Sequence, residues 1–116
     1  MPLDPVIHQQ NRLQIVATLY RNRQMSFTEL RDACGLTSGN AGSHFERLEA
    51  AGYIKGGRIL RGLTFELHYR ITDRGVDAFR TYLRELQDIL TKSGAGTAAQ
   101  TTAADSSTSS GDRPLG

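Results

Sequence analysis

The sequence predicts a mainly α-helical domain that also contains a small β-hairpin, and three observations lead to this prediction. Apolar residues recur at helical spacing before residue 53, their period then changes to two in TFELHYRI, and a final helical segment follows. The predicted order of elements is therefore α-α-α-β-β-α. The 116 residues have room for one domain with a single modest core.

The first helix is expected to start at Asp4 and Pro5, an N-cap followed by proline at the first helical position. It should continue through Tyr20, with an irregularity near HQQN. Four of its apolar residues share one face and should point to the core: Leu13, Val16, Leu19 and Tyr20.

Two further helices have clear local boundaries. Ser26 and Glu29 have the spacing of a capping box at the start of the second helix, and Gly35 stands where a left-handed C-cap residue belongs. Thr37 is the predicted N-cap of the third helix, and Gly52 ends it. The short connection GLT between these two helices is typical of a helix-turn-helix.

A hairpin should follow the third helix. In TFELHYRI the residues expected on the buried face are Phe65, Leu67, Tyr69 and Ile71. The preceding YIKGGRILR is a weaker strand, and Gly62 lies at the bend. Its basic residues Lys55, Arg58 and Arg61 form a local positive stripe that suggests a polyanionic partner. Thr72 then caps the last helix.

The third helix opens on small polar residues, TSGNAGSH, although an interior glycine costs a helix roughly 1 kcal/mol relative to alanine. Ala41, Phe45 and Leu48 fall on the core side. The opposite side consists of Ser38, Gly39, Asn40, Ser43 and Arg47, with His44 at its flank. Such a face suits close approach to a DNA major groove, where short donors and acceptors reach base edges. A frayed helix start is the alternative interpretation.

The stretch SFTELRDACGLTSGNAGSHFERLEAAGYI, with the basic hairpin and YRITDRGVDAF, resembles the small stand-alone winged helix-turn-helix transcriptional regulators related to the MarR and ArsR families. The resemblance covers residues 5 to about 90. It implies a homodimer that binds double-stranded DNA sequence-specifically, with recognition helix 38–51 in the major groove and hairpin 53–71 as the wing. The DNA contacts that it implies are Ser38, Asn40, Ser43, His44, Arg47, Arg58 and Arg61. We also expect contacts from Thr37, the N-cap of the third helix, and from Lys55 of the basic stripe.

The last helix, residues 73–92, has an apolar seam at heptad spacing: Val76, Phe79, Leu83, Leu86 and Leu90. A stripe this broad exceeds what a small core can cover, so we expect it to form a dimer interface. The alternative is that the helix folds back over its own domain. Residues 93–116 are rich in Gly, Ala, Ser and Thr and should form a disordered tail after the domain of residues 1–92.

No catalytic motif stands out, and we expect neither an enzyme nor a cofactor. His8, His44 and His68 fall on three different elements, so no metal site is expected. Cys34 is most simply a small buried residue, and a redox-sensing thiol is the alternative.

The chain has no apolar run long enough for a membrane span and no signal sequence at its start, which predicts a cytoplasmic protein. Two other functions stay open at this point: a winged helix that binds protein rather than DNA, and an RNA-binding domain. The sequence identifies no effector ligand.

Overall fold

The computed structural model describes residues 3–93. Within them the order is α1 (Gln10–Asn22), β1 (Gln24–Ser26), α2 (Phe27–Ala33), α3 (Ser38–Ala50), β2 (Ile54–Arg61), β3 (Thr64–Ile71) and α4 (Asp73–Lys92). The predicted fold, mainly helical with a hairpin, is confirmed, and β1 is added to it. Of the described residues, 3–82 cluster as one unit, and a second unit begins at Leu83. All of the predicted tail except Ser93 lies outside the described residues.

The first helix begins at Gln10 rather than near Asp4, which corrects the predicted boundary. The Asp4 carboxylate does accept a hydrogen bond from the N–H of Val6 (2.9 Å). However, the Arg12 guanidinium donates to the Val6 carbonyl (2.6 Å), which a continuous helix would pair with the N–H of residue 10. Gln9 is extended instead and caps α1 by accepting from the N–H of Arg12 (2.8 Å).

The predicted boundaries of α2 and α3 are confirmed. Ser26 and Glu29 form the reciprocal capping box, with N–H to side-chain distances of 2.9 and 3.0 Å. Gly35 has a φ of +65°, which a residue with a side chain rarely adopts. The Thr37 hydroxyl accepts from the N–H of Asn40 at 3.2 Å, as an N-cap does.

The sheet is antiparallel with strand order β1-β3-β2. Alternate residues face opposite sides, and the inner face carries the buried Ile54, Tyr69 and Ile71. The Tyr69 ring lies 4.8 Å from the ring of Phe45 on α3. This contact fixes which side of the sheet faces the helices.

The distal part of the hairpin does not follow the prediction. Phe65 and Leu67 were expected on a buried face, but they are 64% and 42% exposed. They share the inner face of the sheet with Tyr69. Between Tyr69 and the turn of the hairpin, however, no described element covers that face. The turn between the strands lies at Gly62, where φ is +63°.

Thr72 caps α4 as predicted. Its hydroxyl accepts from the N–H of Gly75 (2.9 Å) and donates to the carbonyl of Gly52 (2.6 Å), which ties the end of α3 to the start of α4. The core includes residues from every helix and from the inner face of the sheet: Ile15, Val16, Leu19, Leu30, Ala41, Phe45, Leu48, Ile54, Ile71 and Phe79.

Candidate nucleic-acid interface

The two sides of α3 differ sharply in burial. Ala41, Phe45 and Leu48 are fully buried, as predicted. The Phe45 ring packs edge-on against Phe27 of α2 at 5.3 Å, so that α3 is held from one side. The opposite side is exposed to solvent, and its residues are Ser38, Gly39, Asn40, Ser43 and Arg47.

The glycines of α3 have no packing role within the described residues. A Cβ added at Gly39 or Gly42 would meet no heavy atom within 4 Å, and neither residue has a positive φ. Gly75 is the contrasting case, because a Cβ there would lie 2.1 Å from the carbonyl oxygen of Tyr53. The helix therefore bears the cost of Gly39 and Gly42 without a compensating internal contact.

The N-terminus of α3 is electropositive and reinforced by a residue that the sequence did not single out. Arg31 of α2 donates to the Ser38 hydroxyl (3.0 Å) and pairs with Asp32 (2.9 Å). Its guanidinium thus lies beside the positive end of the α3 dipole. Helical periodicity could not reveal this contact, because it joins two different helices.

His44 differs from the other predicted contact residues because it lies between α3 and α1. Its Nε2 is 3.4 Å from the Asn11 amide nitrogen and its Nδ1 is 3.3 Å from the Arg12 guanidinium. Burial, followed by the charges of Arg12 and Arg47, lowers the pKa of His44, which favours the neutral ring. His44 therefore links the two helices in this structure, and its predicted contact with DNA stays a prediction.

The three basic residues predicted as one stripe on β2 lie on two faces of the sheet. Arg58 is opposite Leu67 on the inner face, whereas Lys55 and Arg61 alternate onto the outer face. Lys55 is directly opposite Arg70, which the sequence analysis missed. The strand period alone separates Arg58 from Lys55 and Arg61, whereas the pairing of Lys55 with Arg70 also requires the register.

Arg61 is paired with an acid in the structure. Its Nε lies 3.3 Å from Glu66 Oε1, and His68 Nε2 lies 3.1 Å from the same oxygen. The hydrogen bonds from His68 and then Arg61 lower the pKa of Glu66. Since this pair is exposed, it adds little stability. A phosphate that binds Arg61 must nevertheless compete with Glu66.

Around the turn of the hairpin, the wing tip is apolar and exposed. Its four large side chains are Leu60 (59% exposed), Leu63 (101%), Phe65 (64%) and Leu67 (42%). A cluster of this kind at the end of a hairpin indicates a contact surface rather than part of the core.

The residues predicted to form a dimer seam divide into two groups. Phe79 is buried in the domain's own core beside Tyr20 (5.0 Å), and Val76 packs against the same core, so these two assignments are corrected. Farther along α4, Leu86 is half-buried, and Leu83 and Leu90 are 45% and 40% exposed. Ile89, which is 45% exposed, widens the exposed part.

Other chemistry is sparse in residues 3–93. They contain no group of His, Cys, Asp and Glu that could hold a metal ion. Cys34 is buried near the Thr18 hydroxyl (3.9 Å), and burial raises the pKa of its thiol, which disfavours a reactive thiolate. No helix among these residues has the length and apolarity that a bilayer span requires.

Comparisons with known proteins agree with this geometry. Residues 11–90 match the family model described as a winged helix DNA-binding domain. An uncharacterised protein of Methanocaldococcus jannaschii, MJ0432, is 30% identical over 76 residues, which cover 65% of this chain and 82% of the relative.

Two solved structures have a similar fold. The transcriptional regulator homologue protein from Pyrococcus horikoshii OT3 has a TM-score of 0.71 at 25% identity, covering 75% of this chain and 86% of that one. The homodimeric winged helix-turn-helix DNA-binding domain of Mb0332 from Mycobacterium bovis has a TM-score of 0.53 at 21% identity, covering 75% and 72%. The second likeness is one of fold alone.

Proposed function

We propose that this chain, which belongs to the winged helix DNA-binding domain family, is a transcription regulator that binds double-stranded DNA sequence-specifically as a homodimer. The observation that carries the proposal is the exposed face of α3, which is small, polar and free of internal contacts at its glycines. In this proposal, residues 38–51 lie in the major groove. No enzymatic activity is part of it.

Base reading is assigned to the exposed polar side chains of α3. Asn40 and Arg47 have the groups that pair with adenine and guanine edges, and Ser38 and Ser43 offer short hydroxyls. Thr37 caps the helix, and its backbone and the α3 N-terminus suit a phosphate. Arg31, which is paired with Asp32, contacts Ser38 at the same end, and a phosphate that binds Arg31 must compete with Asp32.

The hairpin 53–71 acts as the wing in this proposal. Arg58 near the middle of β2 and Arg61 beside the turn are exposed and can reach phosphates of the DNA backbone. Arg61 must first leave Glu66, so its net contribution is smaller than that of an unpaired arginine.

Dimerisation is assigned to the exposed apolar residues Leu83, Leu86, Ile89 and Leu90 of α4. Apolar side chains at this spacing pack well against the same helix of a second subunit. The Mycobacterium bovis domain of similar fold is described as homodimeric, which supports the assignment. A two-fold dimer would place its two recognition helices about 34 Å apart, one turn of DNA.

Selection of bound fragments from a random DNA pool tests the proposal. We expect an enriched motif with two-fold symmetry, and we expect Asn40→Ala and Arg47→Ala to change which bases are preferred. Arg80→Ala is the control, because it removes an exposed arginine on α4 without touching α3. A pool without any enriched motif would contradict sequence-specific binding.

The apolar wing tip favours a second candidate, a winged helix that binds another protein. This function predicts that Leu63→Ser or Phe65→Ser abolishes capture of the protein partner, whereas Asn40→Ala and Arg47→Ala have no effect. The selection experiment separates the two functions, since the second one gives no DNA motif.

A further inference from the structure

The outer face of the three-stranded sheet carries an open groove of about 180 Å³. The outer-face residues that line it are Gln24, Lys55, Gly57, Ile59, His68 and Arg70. Gly56, Arg58 and Tyr69, which alternate onto the inner face, complete the lining. The strand register orders these residues in rows across the sheet. Arg70 lies between Gln24 and Lys55, and His68 lies between Ser26 and Gly57, all on the outer face.

The positive charges of Lys55 and Arg70, which both line the groove, are not balanced by a paired acid. Lys55 and Arg70 are directly opposite each other on neighbouring strands, an arrangement that like charges disfavour. Neither forms a salt bridge with any of the described residues. Glu66, on the same face, is committed to Arg61 and His68, and Glu29 of α2 to its capping box. Glu49 accepts from the N–H of Gly56, the residue that follows Lys55. An anion held between Lys55 and Arg70 would relieve their repulsion.

The groove has open space at Gly57, and His68 beside it has a ring nitrogen, Nδ1, without a hydrogen-bond partner. A Cβ added at Gly57 would meet no heavy atom within 4 Å, so the position opposite His68 is open. His68 donates from Nε2 to Glu66, whereas its Nδ1 is buried without a hydrogen-bond partner. When the ring is neutral, Nδ1 is an acceptor, and only a ligand or side chain with a donor can satisfy it.

The groove is separate from the proposed DNA-reading surface. Because α3 packs on the inner face of the sheet, through the contact of Phe45 with Tyr69, the groove residues Lys55, His68 and Arg70 lie on the face opposite α3. Lys55 therefore does not extend the exposed face of α3, although the sequence grouped it with the DNA contacts. Arg58 also lines the groove and is shared with the proposed wing contacts.

We propose that this groove binds a small oxyanion that carries a hydroxyl group, of which hydrogen phosphate is the simplest. Lys55 and Arg70 bind its charged oxygens, with the planar guanidinium able to donate two parallel hydrogen bonds. The ligand hydroxyl donates to His68 Nδ1 after a small movement of the side chains that cover this atom. The site goes beyond the proposed regulator function and does not depend on DNA binding.

The test is an NMR titration of the full chain with inorganic phosphate at constant ionic strength, with sulfate in a parallel series. We expect saturable shifts at the Gly57 amide and at His68 Nδ1, and weaker binding of sulfate, which has no hydroxyl at neutral pH. Lys55→Gln and Arg70→Gln should each raise the Kd for phosphate about tenfold or more. Arg21→Gln is the control, because Arg21 is an exposed arginine on α1 that does not line the groove, and it should leave the Kd unchanged.

Three results would overturn the proposal. One is a set of shifts that grow linearly at all basic residues, equally in Arg21→Gln and Lys55→Gln. Another is equal affinity for sulfate, which would remove the role of His68. The third comes from DNA titrations. If Lys55→Gln and Arg70→Gln together lower the salt slope of duplex binding by about two, the groove holds a DNA phosphate and not a free anion.

Failure of this proposal is distinguishable from failure of the proposed function. A chain that selects no DNA motif but binds phosphate in this groove keeps the oxyanion site. A chain that binds its DNA motif while Lys55→Gln has no effect on phosphate loses the oxyanion site and keeps the regulator function.

Discussion

Replacing Gly39 by alanine should make the protein more stable and its DNA binding weaker. The added methyl group meets no atom within 4 Å and the backbone φ is not positive, so the folded state accommodates it without strain. Such a substitution stabilises a protein by about 0.4–1 kcal/mol, mainly by restricting the unfolded chain. For a domain of this size, the melting temperature should rise by about 2–8 °C.

The effect on binding has the opposite sign. If the helix approaches the duplex as closely as a glycine permits, the methyl group intrudes on a packed contact, which costs about 1–3 kcal/mol. This cost lowers affinity by a factor of roughly 5 to 150. Thermal unfolding followed by circular dichroism measures the first effect, and fluorescence anisotropy with the selected duplex at fixed salt measures the second.

Gly42→Ala is the matched control for this experiment. Gly42 lies on the same helix and also has space for a Cβ, but it is half-buried at the flank of the exposed face. Gly42→Ala should raise the free energy of unfolding by a similar amount and weaken DNA binding less than Gly39→Ala does. Equal losses of affinity in both variants would indicate stiffening of the helix and not close approach. A Gly39→Ala protein that is more stable and binds DNA as tightly as before would refute the reasoning outright.

Three further predictions follow from the described contacts. Gly75→Ala should destabilise the fold by about 2 kcal/mol or more in urea unfolding, because its Cβ would lie 2.1 Å from the Tyr53 carbonyl oxygen. Burial, with the hydrogen bond to Asp4, raises the pKa of Tyr53 to about 12. Because the folded pKa lies above the unfolded value of about 10, this stabilisation is complete below pH 10 and is lost as the pH rises to about 12. Tyr53→Phe should reduce this dependence in melting curves, and the part that remains comes from Tyr69, whose pKa is also raised by burial. Arg61→Ala should weaken binding to all DNA sequences and lower the salt slope by about one, whereas Glu66→Gln should raise affinity by releasing Arg61, both measured by anisotropy.

The ends of the second and third helices could be predicted because their determinants are local. The capping box of Ser26 and Glu29 involves two residues three positions apart, and the left-handed conformation at Gly35 needs no tertiary contact. The prediction of where the first helix starts was wrong because that boundary depends on a tertiary contact. Asp4 does cap the N–H of Val6 locally. However, the Arg12 guanidinium donates to the Val6 carbonyl, which a continuous helix would use in its own hydrogen bond.

The sheet shows a second limit of sequence reasoning. Alternation correctly placed Phe65, Leu67, Tyr69 and Ile71 on a shared face, since this depends only on the strand period. It did not reveal where the covering helices end, so Phe65 and Leu67 were wrongly expected to be buried. The three-residue strand β1 gave no periodic signal, because it is held by pairing with a distant strand.

The difference between local and tertiary determinants also explains which features of the candidate DNA interface could be predicted. The core side of α3 follows from its period, and the exposed side is then determined by exclusion. The period could not show that His44 is engaged by α1, or that Arg31 reaches the α3 N-terminus. The winged helix resemblance expected from the sequence is confirmed by the family match, whereas the residue-level DNA contacts stay predictions.

Three departures from ordinary folding rules in residues 3–93 lie at exposed positions. Each of them lowers stability or fails to raise it. They are Gly39 within a helix, Lys55 opposite Arg70 on adjacent strands, and the exposed Leu63 at the wing tip. None of them lies in the core, where capping, burial and ring packing agree with one another. Sequences that fold well satisfy local and global preferences together, and they depart from them mainly where function requires it. The three departures lie on different surfaces, and this separation argues for more than one binding partner: a duplex at α3, a small oxyanion on the outer sheet face, and an apolar contact at the wing.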